Sequence, residues 1–296
     1  MTVVLVGNQR KPAISWHAWR ASIVLAVGVL SLGSVSFMAM LPAEGVEEEA
    51  APRETLTVAD PIDVDKDEPP TPPSPEPVAP APSDGLDCAA VACVALTFDD
   101  GPSAHSAALL DRLHELGVRA TFFNTGQNTR NNPATVKRQV DDGHQIGGHS
   151  WNHANMKKQG PDKACADAHR TAEAIQEAAG VDSPLVRPPY GDWNDAILKA
   201  CQGKTFILWD VDTLDWSSHD AVKITDHAIK DSKPGSIILM HDTVAETIDA
   251  LPAVVAGLRA KGYELVTVAE LFGSSLVPGE AVYSGPRTGV PATPAP

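Results

Sequence analysis

The sequence predicts an α/β fold: a (β/α) barrel of about seven parallel strands, smaller and less regular than the eightfold form. Three observations point there. Short apolar runs alternate with helix-patterned stretches from residue 94 to residue 273, as a parallel sheet with helical crossovers requires. Glycines close several of the helical stretches. Unusual polar residues follow five different apolar runs, and only a barrel brings all the C-terminal strand ends to one mouth, whereas an open sheet gathers ligands at a single switch point.

In order, the expected strands are Val94 to Phe98, Ala120 to Asn124, His144 to Gly148, Leu185 to Val186, Thr205 to Val211, Ser236 to Met240 and Glu264 to Val268. Each is a short run rich in β-branched, aromatic or other apolar residues. The expected helices between them are Ser106 to Leu116, Pro133 to Asp142 with Asn132 as N-cap, Asp162 to Ala179, Asp220 to Lys230 and Ile248 to Lys261. Gly117, Gly180 and Gly262 stand where three of them should end.

The catalytic-sized region is expected to span residues 88–275. Ahead of it, Arg10, Lys11 and Arg20 precede an uncharged run from Ala21 to Leu41. A run of about 20 apolar residues suits a bilayer core, so 1–20 reads as cytoplasmic and 21–41 as a transmembrane anchor, with a cleaved signal as the alternative. Either reading places the rest of the chain outside the cytoplasm. Residues 42–87 are acidic and proline-rich, too poor in apolar surface to repay ordering, and are expected to form a disordered tether; 276–296 are expected to be a disordered tail. The net charge of −15 divides as +3 before residue 44, −11 to residue 87 and −7 beyond. That acidity argues against a nucleic-acid groove. Four cysteines lie beyond the apolar run. In an oxidising compartment two disulfides are expected, with Cys88–Cys93 and Cys165–Cys201 as one of three possible pairings and four buried thiols as the alternative.

The doublet Asp99–Asp100 ends the first strand and is followed by Gly101–Pro102. Two adjacent carboxylates are costly unless a cation neutralises one and a second positive group pairs with the other. His149 and His153, in HSWNH, have the i, i+4 spacing that aims two imidazoles at one point. With one carboxylate of the doublet they complete a two-histidine, one-carboxylate site with room for water and substrate, while the free carboxylate serves as a base. Arg187, in RPPYG, can hold that base ionised. SIILMHD ends a buried strand with His241, and a carboxylate such as Asp212 would keep it protonated as a general acid. Together these groups describe hydrolysis of an ester or amide.

TFDDGP, HSWNH, RPPYG, DTLDW and ILMHD, in that order, resemble the five motifs of the polysaccharide deacetylases with a NodB homology domain, carbohydrate esterase family four, and the wording is similar to actinobacterial members. The resemblance covers about residues 92–273. It implies a distorted (β/α) barrel and a divalent metal, usually zinc, with cobalt, nickel or manganese as alternatives, held by Asp100, His149 and His153. It makes Asp99 the base oriented by Arg187, and His241 the acid tuned by Asp212. The backbone N–H of Tyr190 would stabilise the oxyanion, and Trp216 and Leu239 would line the acetyl pocket. The implied reaction is removal of acetyl groups from N-acetylglucosamine units of peptidoglycan or chitin, by a monomer outside the cytoplasm whose partners are the wall polysaccharide and, through residues 21–41, the membrane. Within the family the alternative is an O-acetyl xylan esterase; outside it, a non-catalytic wall-binding module. A metalloprotease is disfavoured because Ser150, Trp151 and Asn152 stand where its glutamate base would be.

Overall fold

The computed structural model describes residues 86–287. The expected anchor at 21–41, almost all of the tether and residues 288–296 lie outside the described residues. No helix among those described is long and apolar enough to cross a membrane.

The elements run β1 (Cys93–Asp99), α1 (Ser106–Glu115), β2 (Thr121–Asn124), α2 (Gly126–Asn131), α3 (Pro133–Asp141), β3 (Gln145–Gly148), α4 (Met156–Gln159) and α5 (Pro161–Ala179). They continue with β4 (Leu185–Val186), α6 (Asp195–Ala200), β5 (Thr205–Ile207), β6 (Val211–Asp212), α7 (Asp215–Ser218) and α8 (Ala221–Asp231). The last are β7 (Ile237–His241), α9 (Ala245–Ala260), β8 (Glu264–Val266), α10 (Val268–Phe272) and β9 (Ala281–Val282). The strands form one sheet in the order β6-β7-β1-β2-β3-β4-β5-β9, with β8 paired to β1. Every strand pair in it is parallel. The path stops short of a full ring, as an incomplete barrel does. An antiparallel bridge between Ser236 and Ser284, and a Gly285 N–H donating to the Gly235 carbonyl, join the chain beyond β9 to the start of β7.

Alternation along the strands decides what faces the interior. In β1, Val94, Leu96 and Phe98 belong to the large outer core with Leu109, Leu110 and Leu113 of α1 and Leu251, Val254 and Leu258 of α9. Cys93 and Ala95 point the other way, into a second cluster with Phe123, Leu185, Ile207 and Ile237. Continuing that face by twos reaches Thr97 and Asp99. In β7 the same rule puts Ile237 in the inner cluster and Ile238 and Met240 in the outer one, so His241 falls on the inner face. The register pairs Asp99 with His241 directly, and adjacent strands lie about 4.8 Å apart.

The expected seven strands become nine for two reasons. The run Thr205 to Val211 is two strands, because Thr205–Ile207 pairs with β4 while Val211–Asp212 crosses to pair with β7. The second extra strand, β9, lies inside the segment expected to be a disordered tail and pairs with β5; ordered structure therefore runs past residue 275. Asn132 occupies the N-cap position of α3, but its side chain donates to the Asn128 carbonyl and caps nothing. Cys88 and Cys93 form a disulfide. Cys165 and Cys201 do not: both are buried thiols in the core beneath α5 and α6, so the pairing expected for them is corrected. Being neighbours in the core is a packing condition, and it does not require a covalent bond.

Candidate active site

At the mouth, main-chain hydrogen bonds stitch the strand ends together. The Asp242 N–H donates to the Asp99 carbonyl, the His149 N–H to Asn124, and the Arg187 N–H to Gly148. Asp100, Ser150, His153, Tyr190 and Leu214 all adopt positive φ. None is glycine, and each such conformation costs on the order of 1 kcal/mol. Strain of this kind gathered on one rim signals that side-chain direction there is over-determined by the surrounding fold.

Asp99 is 2% exposed. Its Oδ1 accepts a 2.8 Å hydrogen bond from Arg187 Nη1, which also donates to Thr97 Oγ1 at 2.8 Å. The Arg187 side chain is fully buried, its Nε and Nη2 donating to the carbonyls of Ile207 and Leu208 and its plane lying 4.1 Å from the Phe123 ring centroid. Losing one partner of such a buried pair costs roughly 3–5 kcal/mol. Burial pushes the Asp99 carboxyl up from its ordinary range while Arg187 and His241 oppose it, the balance expected of a carboxylate that must accept a proton.

Asp100, His149 and His153 offer ligand atoms that all lie within 4.8 Å of one another. His149 Nε2 is 3.6 Å from Asp100 Oδ1, and His153 Nε2 is 3.4 Å from it. His149 Nδ1 lies 2.7 Å from the Arg187 carbonyl. A carbonyl only accepts, so Nδ1 carries the hydrogen and the Nε2 lone pair faces the carboxylates. Burial, the largest influence, lowers His149 to about 3 against the pull of Asp100, which leaves the imidazole neutral. Asp100 Oδ1 is buried without any hydrogen-bond partner. Two imidazole lone pairs and an orphaned carboxylate oxygen converging on one point fit a divalent cation of the zinc type.

His241 stands across the mouth. Its Nδ1 is 2.7 Å from Asp215 Oδ1, and its backbone N–H donates to Asp215 Oδ2 at 2.7 Å. Thr247 Oγ1 donates to the same oxygen. Burial alone would lower the imidazole, but Asp215, joined by Asp99 and Asp100, raises it to about 9. The expected partner, Asp212, is corrected: its carboxylate instead accepts from the Leu214 N–H and from the Trp216 side chain. Asp215 is fully buried, and the left-handed turn at Leu214 (φ 56°) feeds it inward.

Trp216 is 52% exposed and Leu239 3%; β6 and β7 register Asp212 beside Leu239, and the Trp216 side chain donates to the Asp212 carboxylate. Tyr190 is exposed, with its ring against His153 at 4.6 Å. Sequence reasoning missed Asp242, which accepts hydrogen bonds from Ser103 and Ser106, and Asn128, whose side chain donates to the Asp100 carbonyl. The serines that clamp Asp242 sit three residues apart just after Gly101–Pro102, a pattern too common to signal by itself. Gly101 must stay small: a Cβ there would fall 2.5 Å from Asp242 Oδ2 and 3.0 Å from Asn124 Oδ1. Gly101→Ala is expected to cost about 1–3 kcal/mol of stability, read as a lowered midpoint in thermal or denaturant unfolding.

The sequence pattern described as polysaccharide deacetylase matches residues 87–205. A peptidoglycan-N-acetylglucosamine deacetylase of Bacillus cereus is 38% identical over 189 residues, 62% of this chain and 69% of that protein. The peptidoglycan-N-acetylglucosamine deacetylase PgdA of Listeria monocytogenes is 37% identical over 191 residues, 64% of this chain but only 41% of its own length. A solved structure described as a T48 deacetylase with substrate is 44% identical, with a TM-score of 0.65, covering 67% of this chain and 100% of that one.

Proposed function

This chain belongs to the polysaccharide deacetylase family, and from that premise we propose that it is a metal-dependent amidase that removes acetyl groups from N-acetylglucosamine units of a wall polysaccharide of the peptidoglycan or chitin type. The observation that carries the reading is the juxtaposition at one barrel mouth of a metal-ligand trio, an arginine-paired carboxylate and a carboxylate-held histidine. Its relatives' names add the wall glycan.

Asp100, His149 and His153 would hold the ion. When bound, it supplies Lewis-acid polarisation of the acyl oxygen and lowers the pKa of an attacking water. Asp99, kept in place by Arg187, takes a proton from that water as it adds to the acetyl carbon. The Tyr190 backbone N–H donates to the oxygen that becomes negative. His241, protonated through Asp215, gives its proton to the departing amine nitrogen, releasing acetate and the free amino sugar. Trp216 and Leu239 wall the methyl group, with Asp212 fixing the indole. The protein acts outside the cytoplasm, tethered through residues 21–41 or released if that run is cleaved.

Acetate release from peptidoglycan, chitin oligomers and acetylated xylan tests the reading. Turnover on the amide substrates should be abolished by chelation and restored by zinc. Release from xylan alone would transfer the protein to the O-acetyl esterases, and binding without release from any glycan would make it a non-catalytic module.

A further inference from the structure

We propose that Arg130, Trp151 and Arg170 form a second binding site on the flank of the mouth, one that holds an oxyanion, a carboxylate of the glycan strand being acted on. The inference rests on the wall-glycan reading above and adds a subsite to it.

Trp151 lies midway between His149 and His153, so its Cα is within roughly 7.6 Å of theirs. The Ser150 and Trp151 carbonyls accept from the Gly126 and Gln127 N–H groups at the start of α2, and the indole packs on Gly126 so closely that no Cβ would fit. The ring is thus fixed between α2 and α5. Arg170 of α5 lies over it with its guanidinium carbon 3.5 Å from the ring centroid, and Arg130 of α2 at 4.9 Å. Both arginines are exposed. Stacking occupies the face of a guanidinium and leaves its edge N–H donors free for bidentate binding of a carboxylate or phosphate.

Each of the other arginines among the described residues has at least one polar partner. Arg112, Arg119, Arg138, Arg187 and Arg287 pair with carboxylates, and Arg259 donates to the Gly117 carbonyl. Arg130 and Arg170 have no such partner among the described residues, although acids outnumber bases by seven from Cys88 onward. Glu173, one turn from Arg170, forms no ion pair with it, and Asp167 is taken by Gln159. Two guanidiniums gathered on one indole beside the metal-ligand loop of an acidic protein, neither in an ion pair among the described residues, fit an external anion. A strand long enough to enter the mouth and pass over Trp151 would present one if it carries carboxylates.

The test is binding by calorimetry to the full chain carrying Asp99→Asn, so that turnover does not intervene. The probes are a peptidoglycan tetrasaccharide with free carboxylates, its methyl ester, chitotetraose and a glycerol-phosphate polymer. Arg130→Ala with Arg170→Ala should weaken the acidic tetrasaccharide about tenfold, as loss of charged hydrogen bonds does, and leave chitotetraose unchanged; the paired lysine variants should restore only part of the affinity, since they keep the charge and lose the bidentate fork. Esterification should cost the unsubstituted arginines the same tenfold. Equal weakening for acidic and neutral oligomers would reduce the stack to a prop for the loop, and no change for either would remove the site. Arginine-dependent binding of the phosphate polymer with no effect of esterification would overturn the assignment to the glycan strand. Because the readout is binding, absence of acetate release in the turnover assay would sink the proposed activity and leave this result standing separately.

Discussion

Asp99→Asn is expected to lower the rate of acetate release by about 10²–10⁴-fold while the protein still takes up one equivalent of zinc. The asparagine is isosteric and can still accept from Arg187 Nη1, so the hydrogen bond survives while the loss of the charge lowers stability by up to the roughly 3–5 kcal/mol of the buried pair, which the unfolding midpoint will show. It cannot accept a proton from water. Asp100→Asn should do the reverse in the binding assay: with a weaker, neutral oxygen in place of the orphaned Oδ1, uptake of metal should fail or weaken by orders of magnitude, and activity with it. Metal content by elemental analysis, read beside the initial rate, separates the two variants. Residual turnover near the wild-type rate in Asp99→Asn would end its assignment as the base, and equal metal loss in both would mean that Asp99 is a ligand.

The second large effect belongs to Asp215→Asn. In the proposed mechanism His241 must be protonated to serve the leaving nitrogen, so activity should fall as pH rises through the His241 value of about 9. The contribution that raises it is chiefly the Asp215 hydrogen bond and charge, working against burial. With an asparagine there, burial remains and the opposing charge is gone. The alkaline limb of the pH–rate profile should therefore move down toward or below the ordinary histidine value of 6.5, with a fall of about 30-fold at pH 8 if it reaches that value. Asp212→Asn should shift the limb far less and act instead through Trp216, raising KM. A profile that moves with Asp212 and stays put with Asp215 would reverse the assignment.

The parts legible in the sequence are those where a polar residue breaks an apolar run. Asp99, His149, Arg187 and His241 each stand where a strand stops, and the alternation inside CVALTFD already places Asp99 on the inner face. Two histidines at i, i+4 spacing and one carboxylate of the doublet were readable as a ligand set because metal chemistry limits the residue types, while the choice of Asp100 over Asp99 came only with the family resemblance. Asp215 was not readable. WDVDTLDW offers three carboxylates within six positions, and the choice depends on a left-handed turn at Leu214, a residue with no sequence preference for it. The split between β5 and β6 was hidden because FILWDV reads as one strand-like run interrupted only by Asp210, and the break comes from which neighbours claim its two ends. The two-residue β9 carries too little pattern to detect, and the unbridged Cys165 and Cys201 show that shared burial does not by itself specify a bond.

The strip from residue 276 to residue 287 bears on where the gene can be cut. It covers the free edge of β5, and its Gly285 sits so tightly against Leu271 and Gly235 that neither glycine tolerates a side chain. A shortened protein ending after the last recognisable motif would keep every catalytic group and still present a bare row of main-chain donors and acceptors to its neighbours. Solubility, rather than chemistry, would be what such a truncation loses, and the useful C-terminal boundary for expression or fusion lies at or beyond Arg287.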